Sequence, residues 1–148
     1  NPRNREHPQN AVMVSGFNRN ATVTGSDFEF IGGNAVAAWG YTNETVNTGF
    51  AAYRPNANYP QGGVDGTDGN HPRYTTITSN LAREVGLYEK QSSFYVQAKT
   101  AQSVISGNVF FNGPRAGINM NDGFGGGDEI SHNLDFSTCR ESGDHGPL

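Results

Sequence analysis

Apolar and polar residues alternate along this chain in short bursts, and three of the bursts share one form. Ile77-Thr78-Ser79-Asn80-Leu81, Ile105-Ser106-Gly107-Asn108-Val109 and Ile130-Ser131-His132-Asn133-Leu134 each read Ile, a small hydroxyl residue, any residue, Asn, aliphatic, at spacings of 28 and 25 residues. Ile, Val, Thr and Phe dominate these segments, which favours strands. Gly and Asn punctuate them, and no stretch carries a 3.6-residue apolar period that would mark a helix. A fixed period in this range signals supersecondary units stacked in one direction. Each unit is too short to bury a core alone, so its aliphatic side chains must pack on the same positions of the units above and below.

The pattern predicts an all-β chain: a parallel β-helix of about five coils of roughly 25 residues. Asn80, Asn108 and Asn133 then occupy one corner of successive coils, where each side-chain amide can bond the next. Asn is also a good turn residue in its own right. A weaker copy, Val23-Thr24-Gly25-Ser26, lies upstream with Asp27 at the aliphatic position, so Phe28 and Phe30 are expected to supply the core from a shifted register. Val23 and Ile77 are 54 residues apart. That interval holds either two coils or one coil with an insertion, and the insertion is the expected answer. Residues 41–72 hold Asn, Gly, Pro and Tyr without a strand period, as functional or disordered loops do.

Bulk properties narrow the picture further. The 148 residues suit one domain, residues 1–148, and the net charge of −4 leaves no basic stripe for nucleic acid. No apolar run approaches the ~20 residues of a membrane span, and no signal peptide is visible. The C-terminal Gly146-Pro147-Leu148 falls within a coil of the repeat frame, so a fragment of a longer solenoid is expected, with further coils or other chains packing on its open ends. Cys139 is the single cysteine and is expected to act as a small buried hydrophobe near a turn. The sequons Asn20-Ala21-Thr22 and Asn43-Glu44-Thr45 count for little in so Asn- and Thr-rich a chain. The Lys-poor composition itself suits an extracellular, secreted solenoid.

Candidate chemistry concentrates in residues 112–148. Pro114-Arg115-Ala116-Gly117-Ile118, a Gly-rich turn with an acidic residue, an Ile-x-x-Asn strand and then Arg140-Glu141-Ser142-Gly143-Asp144-x-Gly146 resemble right-handed parallel β-helix proteins of the pectate-lyase-like superfamily. The likeness is greatest to members grouped with glycoside hydrolases acting on polysaccharides. It covers about the last third of the chain, and the coil pattern extends it over residues 73–148. It implies a right-handed winding, with the Glu-Ser-Gly-Asp stretch on a cleft face. Aligning Gly117-Ile118 with Gly143-Asp144, and with Val36 upstream, places Asp144 where other coils carry an aliphatic residue.

Glycosidases need two carboxyl groups on one face, about 5–5.5 Å apart for retention and about 6.5–9.5 Å for inversion. Stacked coils offer separations of that order. Glu141, Asp144 and Asp122 are therefore the catalytic candidates, with Arg115 and His145 as substrate-binding or electrostatic helpers. Acidic residues beside Gly are equally common as plain turn residues, and Arg115 with Glu141 could be a structural ion pair. Trp39 and Tyr41, at the start of the insertion, are candidates for stacking on sugar rings. In a lyase variant of this chemistry Arg115 would be the base and calcium would assist. Asp65, Asp68 and Asn70 are the weak candidate calcium ligands, and hydrolysis itself requires no cofactor. The competing class is a non-catalytic extracellular solenoid for structure, adhesion or filament building. Fold does not choose between the two.

Overall fold

The computed structural model describes residues 10–40, 70–121, 125–143 and 145–148. These residues form twelve strands and no helix. In chain order they are β1 (Val12–Ser15), β2 (Thr22–Thr24), β3 (Asp27–Ile31), β4 (Val36–Trp39), β5 (Thr76–Thr78), β6 (Leu81–Val85), β7 (Tyr95–Ala98), β8 (Val104–Ser106), β9 (Val109–Phe111), β10 (Ile118–Asn121), β11 (Glu129–Ser131) and β12 (Leu134–Phe136). Every third strand joins the same sheet, giving the orders β1-β4-β7-β10, β2-β5-β8-β11 and β3-β6-β9-β12, and every pairing is parallel. This is the winding of a parallel β-helix, with four rungs among the described residues where about five coils were expected.

Val23 pairs directly with Ile77, 54 positions later, so the two stand on neighbouring rungs. Residues 41–69 of the expected insertion lie outside the described residues. Of its last residues, His71 and Pro72 are fully buried. The chain leaves the rung at Gly40 and returns against it. A β-carbon on Gly40 would fall 2.3 Å from His71 Cβ.

The rungs stack side chain on side chain. Val23, Ile77, Ile105 and Ile130 form one inward column, and Val12, Val36, Tyr95 and Ile118 another. A third runs Phe28, Ala82, Phe110 and Asp135. Phe94 enters from a corner, stacks on Phe110 at 4.1 Å and meets Phe28 edge-on at 6.4 Å. The small Ala82 leaves room between those two rings.

Each corner is made by a residue in the left-handed region, and this decides the phase of the side chains. The variable third position of the repeat is Gly25 (φ 60°), Ser79 (56°), Gly107 (67°) and His132 (56°). Glycine adopts this conformation freely, whereas Ser79 and His132 bear a cost of order 1 kcal/mol each. The turn aims the next side chain, Asn, into the corner and the residue after it outward. Leu81, Val109 and Leu134 therefore lie on the outer face, with Leu134 exposed, and the expectation that they are core is corrected. The core residue lies two beyond the Asn. Phe28 fills it in ordinary register with Ala82, without a shift, while Phe30 is exposed.

The Asn ladder forms as expected. Asn80 N and Nδ2 both donate to Asn108 Oδ1 at 3.0 Å. Asn108 N (3.0 Å) and Nδ2 (2.9 Å) donate to Asn133 Oδ1. Each amide also donates back to the carbonyl three residues before its own predecessor: Asn80 to Val23, Asn108 to Ile77 and Asn133 to Ile105. Ser26 N closes the first step by donating to Asn80 Oδ1. A second ladder, not anticipated, precedes the first sheet: Asn34 N and Nδ2 donate to Asn10 Oδ1, and Ser93 N to Asn34 Oδ1.

Candidate functional site

Three successive layers of one corner build an exposed polar surface. The layers are the turn 86–91 after β6, the turn 113–117 after β9 and the described residues 138–143 and 145–147 after β12. Backbone bonds lay the last on the second: Arg140 N donates to Gly113 O, Glu141 N and Ser142 N to Pro114 O, and Cys139 N to Arg115 O. The two halves of the family-like pattern are thus neighbours. Their register differs from the sequence alignment, however. Gly117 N donates to Pro147 O just as Tyr95 N donates to Gly117 O one rung earlier, so Gly117 stands against Leu148, not Gly143. The corner loops differ in length, and the alignment assumed that they did not.

Side chains tie the layers together. Lys90 Nζ donates to Glu141 Oε1 at 3.0 Å in an exposed ion pair. Gln91 Nε2 donates to Ser142 Oγ at 3.4 Å. Arg115 Nη1 donates to Gln91 O at 3.3 Å and its Nη2 to His145 Nε2. Glu141, Arg115 and His145, three of the sequence candidates, are therefore brought to one place, and Glu141 pairs with Lys90. Lys90 and Gln91 were missed because nothing in their local sequence marks them. Tyr88, in the same turn, is 56% exposed.

The other candidates stand apart. Asp122, Asp144, Tyr41, Asp65 and Asp68 lie outside the described residues. Trp39 ends β4 and Arg115 precedes the start of β10, so the two sit at opposite ends of the parallel strands of the first sheet. Asn70 lies beside the buried His71, at the exit of that sheet. Cys139 is half-buried in a left-handed turn, its Sγ donating to His145 O at 3.4 Å, and does not join the core. Among the described residues no group of three or more His, Cys, Asp or Glu is arranged to hold a metal ion, and no helix is long and apolar enough to cross a membrane.

Two polar features lie inside the winding. The Tyr95 hydroxyl donates to Gln97 Oε1 (2.9 Å), Gln97 Nε2 donates to Asp128 Oδ2 (3.0 Å), and Asp128 Oδ1 accepts from Ser103 N (2.8 Å). Burial pushes the Tyr95 hydroxyl up to about 12, so it stays a donor. Asp128 caps this network.

The second feature is Asp135, at the inward position that holds Phe110 one rung earlier. Its carboxyl lies over Gly117, where a β-carbon would meet Oδ2 at 2.3 Å, and its Oδ1 is buried without a hydrogen-bond partner among the described residues. Desolvation raises its pKa from 3.8 to about 6. The repeat frame could have revealed it, since Asp135 follows Asn133 by two as Phe110 follows Asn108.

The raised pKa has a stability consequence. Protonation of Asp135 favours the fold, a contribution fully present below pH 3.8 and lost as pH rises through about 6. The whole shift would correspond to ~3 kcal/mol. Partial exposure and solvent screening reduce this to ~1 kcal/mol. Asp135→Asn should therefore melt higher than the parent at pH 8 and at the same temperature at pH 3.5. Equal melting at both pH values would show that the carboxyl is fully hydrated.

Comparison of the chain with protein-family models, curated proteins and solved structures finds no match in any of the three.

Proposed function

We propose that this chain is a secreted, carbohydrate-active β-helix protein that engages polysaccharide along the corner of Tyr88, Lys90, Gln91, Arg115, Glu141, Ser142 and His145. One observation carries the reading: donors and acceptors from three successive layers form a continuous exposed surface beside an exposed tyrosine. Sugar hydroxyls need convergent polar groups of this kind, and an aromatic body offers the apolar ring face a place to stack. The Pro114–Ile118 and Arg140–Gly143 likeness to the pectate-lyase-like superfamily supports the same assignment. A right-handed winding goes with it, as nearly all parallel crossovers have that hand.

Hydrolysis of a glycosidic bond at this corner gives Glu141 one carboxyl role and Asp144 the other. In this scheme polysaccharide displaces Lys90 from Glu141. A calcium-assisted elimination with Arg115 as base is its variant. The test is binding and reducing-end release measured together over a panel of acidic and neutral polysaccharides. Arg115→Ala should weaken binding about tenfold. Glu141→Gln should leave binding within a few-fold while cutting release by about 10²-fold or more. Binding without release would reduce the reading to a binding module, and absence of both would remove it.

The scaffold reading has its own observation. The outward face of the second sheet carries aligned hydroxyl columns, with Thr78 Oγ1 bonded to Thr24 Oγ1 at 3.2 Å and Ser106 Oγ 2.9 Å from Ser131 Oγ. A flat hydroxyl face of this kind suits adhesion or assembly.

A further inference from the structure

Asn20 opens the sequon Asn20-Ala21-Thr22, at the corner between the first and second sheets. Ala21 packs against the core, so Asn20 and Thr22 on either side of it face solvent, and both are exposed. The amides of Asn34, Asn80 and Asn108 are spent on the ladders. Among the described residues neither the Asn20 amide nor the Thr22 hydroxyl has a side-chain hydrogen bond. Backbone conformation does not demand Asn here. Asn20 is left-handed (φ 60°), but Tyr74 (58°) and Gln102 (57°) take the same place on the next two rungs. Two exposed aromatic rings flank the site. Phe17 stands three residues before Asn20 and is 72% exposed, with the Arg19 guanidinium 3.9 Å from the centre of its ring. Tyr74 stands one rung along from Asn20 and is 44% exposed, with the Arg73 guanidinium 4.8 Å from its ring centre. Each arginine steadies its ring by a cation–π contact and still leaves it open to water.

We propose that Asn20 is an N-glycosylation site whose first sugar packs on the Phe17 ring, with Tyr74 bounding it on the neighbouring rung. An Asn-x-Thr triplet with x other than Pro is the acceptor pattern of the secretory pathway. The transfer needs an accessible amide and the hydroxyl two residues on, and this corner presents both. In it Asn20 Nδ2 loses one proton to a base of the transferase and bonds to C1 of an N-acetylglucosamine. The bond from that carbon to the diphosphate of a lipid-linked donor breaks, and the diphosphate leaves with the bonding pair. Three residues of chain span at most about 11 Å, so Phe17 lies within reach of the sugar nearest the protein. That sugar has an apolar C–H face, and an exposed aromatic ring is a surface that such a face covers favourably. The inference rests on the secreted half of the functional reading and not on the chemistry at Glu141.

The test expresses the 148-residue chain behind a cleavable secretion leader in a glycosylating eukaryotic cell line, with Asn43→Gln to remove the other sequon. Mass spectrometry of the chain, secreted and cell-retained together, reads occupancy. Most leader-cleaved molecules should carry sugar at Asn20. Thr22→Ser should keep it, and Thr22→Ala should abolish it. Trimming with an endoglycosidase to one N-acetylglucosamine then isolates the contact. This single-sugar form should melt about 2–4 °C above the Asn20→Gln chain, the shift expected of one aromatic contact in a domain of this size. In a Phe17→Ala background occupancy should persist and the difference should vanish. Leader-cleaved chain without sugar at Asn20 overturns the inference. So does an absent melting gain, or a gain that survives Phe17→Ala. Because the host supplies the leader, the outcome stands apart from the polysaccharide assay. A glycosylated chain that neither binds nor cuts polysaccharide would remove that reading and keep this one.

Discussion

Asn108→Ala should lower the unfolding free energy by about 3 kcal/mol, one of the two largest losses expected from a single substitution in this chain. The side chain of Asn108 makes four hydrogen bonds, accepting from Asn80 N and Nδ2 and donating to Ile77 O and Asn133 Oδ1. Asn108 and Asn80 are both almost fully buried. Truncation leaves their partners unsatisfied away from water, and each orphaned group costs of order 1–3 kcal/mol before relaxation. For a domain of this size ~3 kcal/mol corresponds to a fall in melting temperature of roughly 6–12 °C. Asn133→Ala should cost less, because Asn133 is only half-buried. Thermal melts of the two variants check both the size and the order. Equal, small losses would show that the ladder is a row of independent turn residues.

Gly40→Ala should cost about as much, for a steric reason. Gly40 N donates to Ala98 O at 3.0 Å, which holds this backbone against the next rung. An added β-carbon would lie 2.3 Å from Lys99 O and 2.3 Å from His71 Cβ. One of those atoms is backbone and the other is the root of a fully buried side chain, so neither can step aside cheaply. Overpacking of this kind costs about 1–3 kcal/mol and occasionally more. Gly25→Ala is the control. Its β-carbon meets nothing within 4 Å, so only the left-handed φ of 60° is penalised, at ~1 kcal/mol. Urea denaturation should place the Gly40 variant well below the Gly25 variant in midpoint at unchanged slope. Equal midpoints would mean that the entry and exit of residues 41–69 are not pressed together at Gly40.

The periodic part of this architecture was legible because it is local and repeated. Ile77, Ile105 and Ile130 with Asn80, Asn108 and Asn133 recur at near-constant spacing, and only stacked strands place such residues in columns. The sequence alone therefore determined the parallel winding and the ladder, whereas the choice between one and two coils from Val23 to Ile77 came from their pairing in the structure. It also pointed to Arg115, Glu141 and His145, which share one corner.

The rest depended on three dimensions. Whether Leu81, Val109 and Leu134 face in or out is set by the left-handed corner residue before each Asn. That corner resets the period-2 alternation, and it leaves no sequence signature when the residue is Ser79 or His132. Register after β12 is set by corner loops of unequal length, so a constant period misaligned Gly117 by five residues, with Gly143 expected and Leu148 found. Lys90 and Glu141 are 51 residues apart in the chain and meet only because two rungs separate them in space. Asp135 reads as one acidic residue in a polar strand. Stacking beneath Phe110's rung turns it into a half-desolvated carboxyl, because burial is a property of what lies above and below a residue, not of its neighbours along the chain.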